Sequence, residues 1–326
     1  MKKFFFSILA VGALVACTKS EVKYNDASEI AFAPVASTAT KAAINSTAFP
    51  KDKDFNVWAY YGKDDASVAP NYGGFTTNYF LDALFVRKDN VNWGGDTPYY
   101  WPNNGSLVFA GYAAPMALQP TYTLSNDELK ITSYEQPEPT SDYSELLWFG
   151  RTASYNNKKT GANVPVIFQH ALSWITIQVK GIGMTANPAN DWKIKSVVID
   201  DVYKKGDVSC VGKLATWTNR DKNEDLNVYS SEGTLLNNAV QVLENVERGT
   251  LVLPQVPTTV TITYTCKTPA GETIEEVVSA SLKYDNDAEW QNGKHYIYTI
   301  TFSATEILIA PTVEDWVPVE VTTPAN

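Results

Sequence analysis

The chain has 326 residues, 44% hydrophobic, 12% aromatic and 19% charged, which is ample for a packed core and, by length, for two domains. Its formal charge of −10 argues against nucleic acid as a partner, because phosphate binding needs clustered Lys and Arg. Two histidines and three cysteines exclude multi-histidine metal sites, a disulfide framework and Cys-rich zinc modules, and no phosphate loop, H-E-x-x-H or G-x-S-x-G motif occurs, so no cofactor, resident metal or catalytic residue is expected.

In chain order, Lys2 and Lys3 precede an apolar run, Phe4 to Val15, too short to span a bilayer and of signal-peptide form. It ends Leu14-Val15-Ala16-Cys17, which resembles a bacterial lipobox. Residues 1–16 are therefore expected to be removed, Cys17 to carry lipid, and polar residues 17–29 to act as a tether; an ordinary signal peptide followed by an incidental cysteine is the alternative. Ile30 to Val35 reads as a short strand with Ile30 and Phe32 on one face. Phe55–Tyr60 and Leu107–Tyr112 alternate as strands, with a possible helical turn near Asp82–Phe85 between them. Residues 150–165 look like a connection between two β domains. Beyond them Ile175–Val179, Lys193–Ile199, Val260–Thr265 and Tyr296–Phe302 alternate and are rich in β-branched and aromatic residues. Trp174, Ile177, Val198, Val260, Ile262, Tyr298 and Ile300 are the expected core of that half. At the end Val317, Val319 and Val321 share one face of a candidate strand, although Pro318 lacks an N–H and argues against a fully paired central position.

Chemistry-bearing residues are few. His170 and His295 lack a neighbouring nucleophile motif and read as structural. Cys210 and Cys266 are the only possible disulfide pair once Cys17 is lipidated, and read as free thiols in different strands. Asp221, Asn223, Asp225 and Glu232 have part of a calcium-loop spacing, but Leu226 stands where the loop needs Gly, so a solvated acidic loop is the simpler reading. Asp285, Asp287 and Glu289 read the same way. Trp93, Tyr99, Tyr100 and Trp101 are either core material or, if exposed, platforms for sugar rings.

Several segments together resemble the fimbrillin family of Bacteroidetes, the subunits of lipoprotein-derived surface pili. They are Tyr99-Tyr100-Trp101-Pro102, then Leu107-Val108-Phe109 with Tyr112 and Pro115; Phe168-Gln169-His170-Ala171-Leu172-Ser173; Gly212-Lys213-Leu214 closing on Trp217; Trp290-Gln291-Asn292-Gly293-Lys294-His295-Tyr296; and Ile307 and Val313 before Asp315-Trp316. The resemblance implies an all-β fold of two transthyretin-like β-sandwich domains in tandem, 30–166 and 167–326. It implies a non-enzymatic subunit of a type V-like fimbrium, delivered to the cell outer membrane on its lipid anchor. Its partners would be other fimbrial subunits and a receptor on a host or bacterial surface. It further implies proteolytic loss of an N-terminal segment containing Ile30 and Phe32, and refilling of the vacated groove by a strand from another subunit. The matching cleavage segment is Thr38 to Ala43, with Lys41 where family members often carry Arg. Val317, Val319 and Val321 are the candidate donor strand, and the short tail points to a tip or accessory subunit. The alternative is a monomeric outer-surface lipoprotein that binds glycans through exposed aromatics.

Overall fold

The structure, a computed structural model, describes residues 24–33, 49, 52–63, 74–89, 92–137, 145–153, 162–182, 192–243, 250–268, 270–284, 288–303 and 307–315. Among these residues the protein is all-β, with no α-helix. The first half carries β1 (Tyr24–Glu29), β2 (Ala31–Ala33), β3 (Phe55–Gly62), β4 (Phe75–Arg87), β5 (Trp93–Gly95), β6 (Tyr100–Pro102), β7 (Ser106–Ala113), β8 (Thr121–Thr123), β9 (Glu128–Glu135), β10 (Leu147–Ala153), β11 (Val164–Pro165) and β12 (Gln169–His170). The second carries β13 (Ser173–Gly181), β14 (Lys193–Val211), β15 (Leu214–Leu235), β16 (Gln241–Val242), β17 (Thr250–Val252), β18 (Thr259–Lys267), β19 (Thr273–Ser281), β20 (Lys294–Phe302) and β21 (Ile307–Asp315).

An eight-stranded sheet, ordered β11-β2-β5-β4-β3-β7-β10-β12, dominates the first half, with β1 and β6 paired beside it. Its strands alternate between two cores. Phe55, Val57 and Ala59 on β3, and Leu107 and Phe109 on β7, face a phenylalanine-rich core; Trp58, Tyr60, Val108 and Tyr112 face the opposite way. The sheet curls enough that Phe32 on β2 touches rings on β3, β4, β7 and β10. In the second half a sheet ordered β16-β13-β20-β21, with β17 on β13, packs on a sheet ordered β19-β18-β14-β9-β8, with β15 on β14. Ile175, Ile177, Val197, Ile199, Ile262 and Ile300 fill the space between them.

The strand β14 joins the two halves. Lys193–Ile199 pairs with β18, whereas Lys205–Val211 pairs with β9 of the first half. A division at residue 166 therefore separates the chain in sequence but not in hydrogen bonding. Between those two stretches the β14–β15 ribbon shifts register. The shifts are pinned by carboxylates. Asp207 accepts the Ser133 N–H and the Asn219 amide, each at 2.7 Å, and both of those residues have positive φ. These two bonds, the Asn219 one first, hold the Asp207 carboxyl below the usual range. Asp225 accepts the Asp201 N–H at 3.2 Å, and Asp201 also has positive φ.

Four expectations need correction. Asp82–Phe85 is part of β4, not a helical turn: Asp82, at φ 49°, makes a bulge, so buried Phe80, Ala83 and Phe85 fall at a spacing that imitates a helix. Val198 is only half-buried, because a register shift between Ile194 and Ser196 turns Val197 and Ile199 inward instead. Residues 150–165 are more than a connection: they hold the end of β10 and all of β11. Asp221, Asn223 and Asp225 lie on the extended strand β15, opposite Lys205 to Val202, which cannot wrap a calcium ion as a tight loop would. Among the described residues no group of three or more His, Cys, Asp or Glu could hold a metal.

Candidate strand groove

The strand predicted to be displaced lies at the centre of the first-half sheet. Phe32 and Ala31 pair antiparallel with Trp93 and Gly94 of β5; Phe32 and Ala33 pair parallel with Val164 and Pro165 of β11. The Ile30 N–H donates to the Tyr99 carbonyl at 2.7 Å. The short segment thus sits in a slot with a strand on each side, and leaving it would free backbone groups on both.

Side chains secure it more strongly than backbone. Ile30 and Phe32 are both 0% exposed. The Phe32 ring stands edge-on to Phe85 at 4.8 Å, Phe109 at 5.1 Å and Phe55 at 5.7 Å, with Phe149 at 6.4 Å. Edge-to-face contact places the positive ring edge on the negative face of a neighbour, a favourable arrangement for packed phenyl groups. Gly111 makes room for the far wall: a Cβ there would run into the Phe149 ring and the Asn56 carbonyl.

The aromatics considered as sugar platforms belong to this wall. Trp93 is 1% and Trp101 2% exposed, and the Trp93 indole donates to the Lys53 carbonyl at 2.8 Å. Tyr99 packs on Phe80 and Phe85, which leaves Tyr100 as the one of the four that is exposed. No pyranose can reach the buried pair, and the glycan reading loses the residues on which it was based.

Phe168 closes the groove from the second half, stacked on Phe49 at 4.8 Å and edge-on to Phe149 at 5.1 Å. The residues after it form the seam. His170 Nδ1 meets Glu145 Oε2 at 2.6 Å, both side chains 2% exposed or less, and Glu145 Oε1 has no partner among the described residues. The Trp217 indole donates to the Ala171 carbonyl at 2.9 Å. The Asn292 amide donates to the His170 and Lys213 carbonyls at 3.1 Å and accepts the Ala215 N–H. Gly293, at φ 68°, donates its N–H to Leu172. Three of the segments singled out in the sequence, around Phe168, Gly212 and Trp290, therefore meet at one place. Nothing in their spacing signalled this; the only hint was polar His170 and Asn292 inside apolar surroundings.

The other histidine anchors the final described strand. His295 lies flat on Trp174, ring centroids 3.5 Å apart, with Nε2 at 2.9 Å from the Thr176 hydroxyl and Nδ1 at 2.7 Å from Glu314 of β21. Burial pushes its pKa down, partly opposed by Glu314. The ring is then neutral at pH 7, with Nδ1–H donating to Glu314 and Nε2 accepting from Thr176. Lys294 pairs with Asp315 on the next rung. Both remaining cysteines are free; burial pushes the Cys210 thiol far up, so it is inert.

A model of the fimbrillin-like family matches residues 40–316, a span that begins after β2. The chain belongs to the fimbrillin-like family. Among solved structures, a fimbrial protein from Bacteroides vulgatus is similar with a TM-score of 0.60 at 14% identity, over 81% of this chain and 93% of that one. A candidate cell adhesion protein from Bacteroides uniformis gives a TM-score of 0.53 at 15% identity, over 89% of this chain and 99% of that one. At such identities the likeness is one of fold. No curated protein matches the chain. Of the residues given functional roles by the sequence, this fimbrillin-like chain buries Ile30 and Phe32 together in the groove, whereas Cys17, Lys41, Val317, Val319 and Val321 lie outside the described residues.

Proposed function

We propose that this protein is a non-enzymatic structural and adhesive subunit of a surface fimbrium, joined to its neighbours by exchange of the strand that β2 now occupies. One observation carries the reading: a three-residue strand, paired on both sides, fills an aromatic slot with a single phenylalanine. An incoming strand with an apolar residue at the Phe32 position supplies the same backbone bonds and the same plug. The precursor is a lipoprotein held in the outer membrane through Cys17, cleavage follows Lys41, and Val317, Val319 and Val321 form the strand given to the next subunit. The short donor with its Pro318 suits a tip or accessory position. Family membership supports association with other fimbrial subunits at the cell surface.

The test compares full-length protein with protein cut after Lys41. A donor-strand peptide should bind the cut form and not the intact one, in which β2 holds the site at high effective concentration. Equal binding to both forms would falsify strand exchange. N-terminal sequencing of the surface form, alongside acyl labelling of wild type and Cys17→Ala, tests the anchor and the cut separately.

A further inference from the structure

Sheet edges are open hydrogen-bonding templates, and natural proteins guard them with shortness, proline or charge. Among the described residues most edges here are guarded. β8, β11, β12 and β16 have three residues or fewer. β21 carries Pro311 and ends in Glu314 and Asp315, and the long edge of β15 carries Arg220, Asp221 and Asp225. β19 is different. It pairs with β18 over all nine of its residues and forms the outer end of its sheet. It contains no proline, lysine or arginine, and Val277 at its centre is 62% exposed. Its inner-face residues Val278 and Ala280 already pack on the second-half core.

We infer that β19 is a self-association edge, pairing antiparallel with β19 of a second copy about a two-fold axis through Val277. The sequence Thr-Ile-Glu-Glu-Val-Val-Ser-Ala-Ser selects that register. A two-fold axis perpendicular to the sheet must place some residue opposite itself, since it keeps each side chain on its own face. Centring on Glu275 or Glu276 sets like charges in direct opposition, which is destabilising. Centring on Val277 pairs all nine residues. It sets Val277 on Val277, Ile274 on Ala280, Glu275 on Ser279 and Glu276 on Val278, so that no carboxylate opposes another. The outer face gains a covered Val277 pair, and the inner face continues the packing begun by Val278 and Ala280. This association is independent of the groove at β2, because β19 lies in the other half of the molecule.

A contact of one strand pair is small, and each copy carries a net charge of −10. The dimer should therefore be reversible and should tighten with moderate salt, which screens the repulsion. Sedimentation equilibrium of the protein purified from the cells that make it, over a range of concentrations, reads this directly. Wild type should fit a monomer–dimer equilibrium that stops at two. Val277→Lys, which opposes two cations at an exposed position, should weaken it about five- to tenfold with an unchanged circular dichroism spectrum. Ser279→Lys should tighten it severalfold at low salt, since each new lysine faces Glu275 of the other copy. A chain that stays monomeric at every concentration overturns the inference. So does an open series of oligomers, or a dimer indifferent to both substitutions.

Discussion

The two halves of this protein solve the same problem, an all-β core, with different materials. The first-half core holds eight phenylalanines, contributed by β2, β3, β4, β7, β10 and segments near Phe49 and Phe168. The second-half core holds one phenylalanine among Ile, Val, Leu and Tyr, and is built largely by the hairpins β14–β15, β18–β19 and β20–β21. A core of interlocking rings cannot close over a missing ring, because its rigid neighbours have no small rotamer change that fills the gap. A core of branched aliphatics drawn from adjacent strands tolerates a loss better. The half that is locally continuous in sequence is thus self-sufficient, and the half that depends on a remote three-residue strand is the one open to exchange.

The sharpest test of this contrast is at the seam, where the halves meet. Glu145→Ala leaves His170 buried without its partner, and should cost about 3–5 kcal/mol in chemical denaturation, with both halves losing amide protection together. Phe32→Ala should cost a similar ~3–5 kcal/mol, but hydrogen exchange should rise in β3, β4 and β7 while β18 and β20 stay protected. Ile300→Ala, the equivalent cut in the second core, should cost about 2–5 kcal/mol and spare the first half. If Phe32→Ala and Ile300→Ala expose the same amides, the halves are one cooperative unit and the contrast fails.

The smaller predictions separate polar anchors. The His295 pKa is depressed in the fold below its ordinary value of about 6.5, so the folded state binds fewer protons than the unfolded chain. Its contribution is fully present above that value and is lost as pH falls through the lower, folded one. A pH series of denaturation curves should show this acid loss, and His295→Gln should flatten it. The least effect is expected at Tyr122→Phe, which removes the 2.6 Å bond to Asp127 that ties the β8–β9 hairpin, about 0.5–1.5 kcal/mol.

Strands with unbroken alternation were legible in the sequence: Phe55–Tyr60, Leu107–Tyr112, Val260–Thr265 and Tyr296–Phe302 all lie within observed strands. So was the inward pairing of Ile30 and Phe32. What escaped was structure whose period is interrupted or whose partner is far away. β14 runs on past Ile199 to Val211, but its register shifts reset the alternation and its Lys and Asp residues read as loop. β19 escaped because its Glu-Glu pair and exposed faces resemble a turn. The convergence of Phe168, Gly212 and Trp290 at the seam was invisible, since contact between segments over a hundred residues apart leaves no mark on local composition.

The pairing of β2 has a further consequence in time. Its neighbours are Trp93 and Val164, so the slot has two walls only after residues far down the chain have been made. Synthesis runs from the N-terminus, and contacts of large sequence separation form late because loop closure must precede them. The strand made first is therefore the last to dock. Until it does, every newly made copy carries a vacant slot, and the chain's own N-terminus is only one competitor among the extended segments nearby. Whatever keeps premature subunits apart must act in that interval, before any protease arrives.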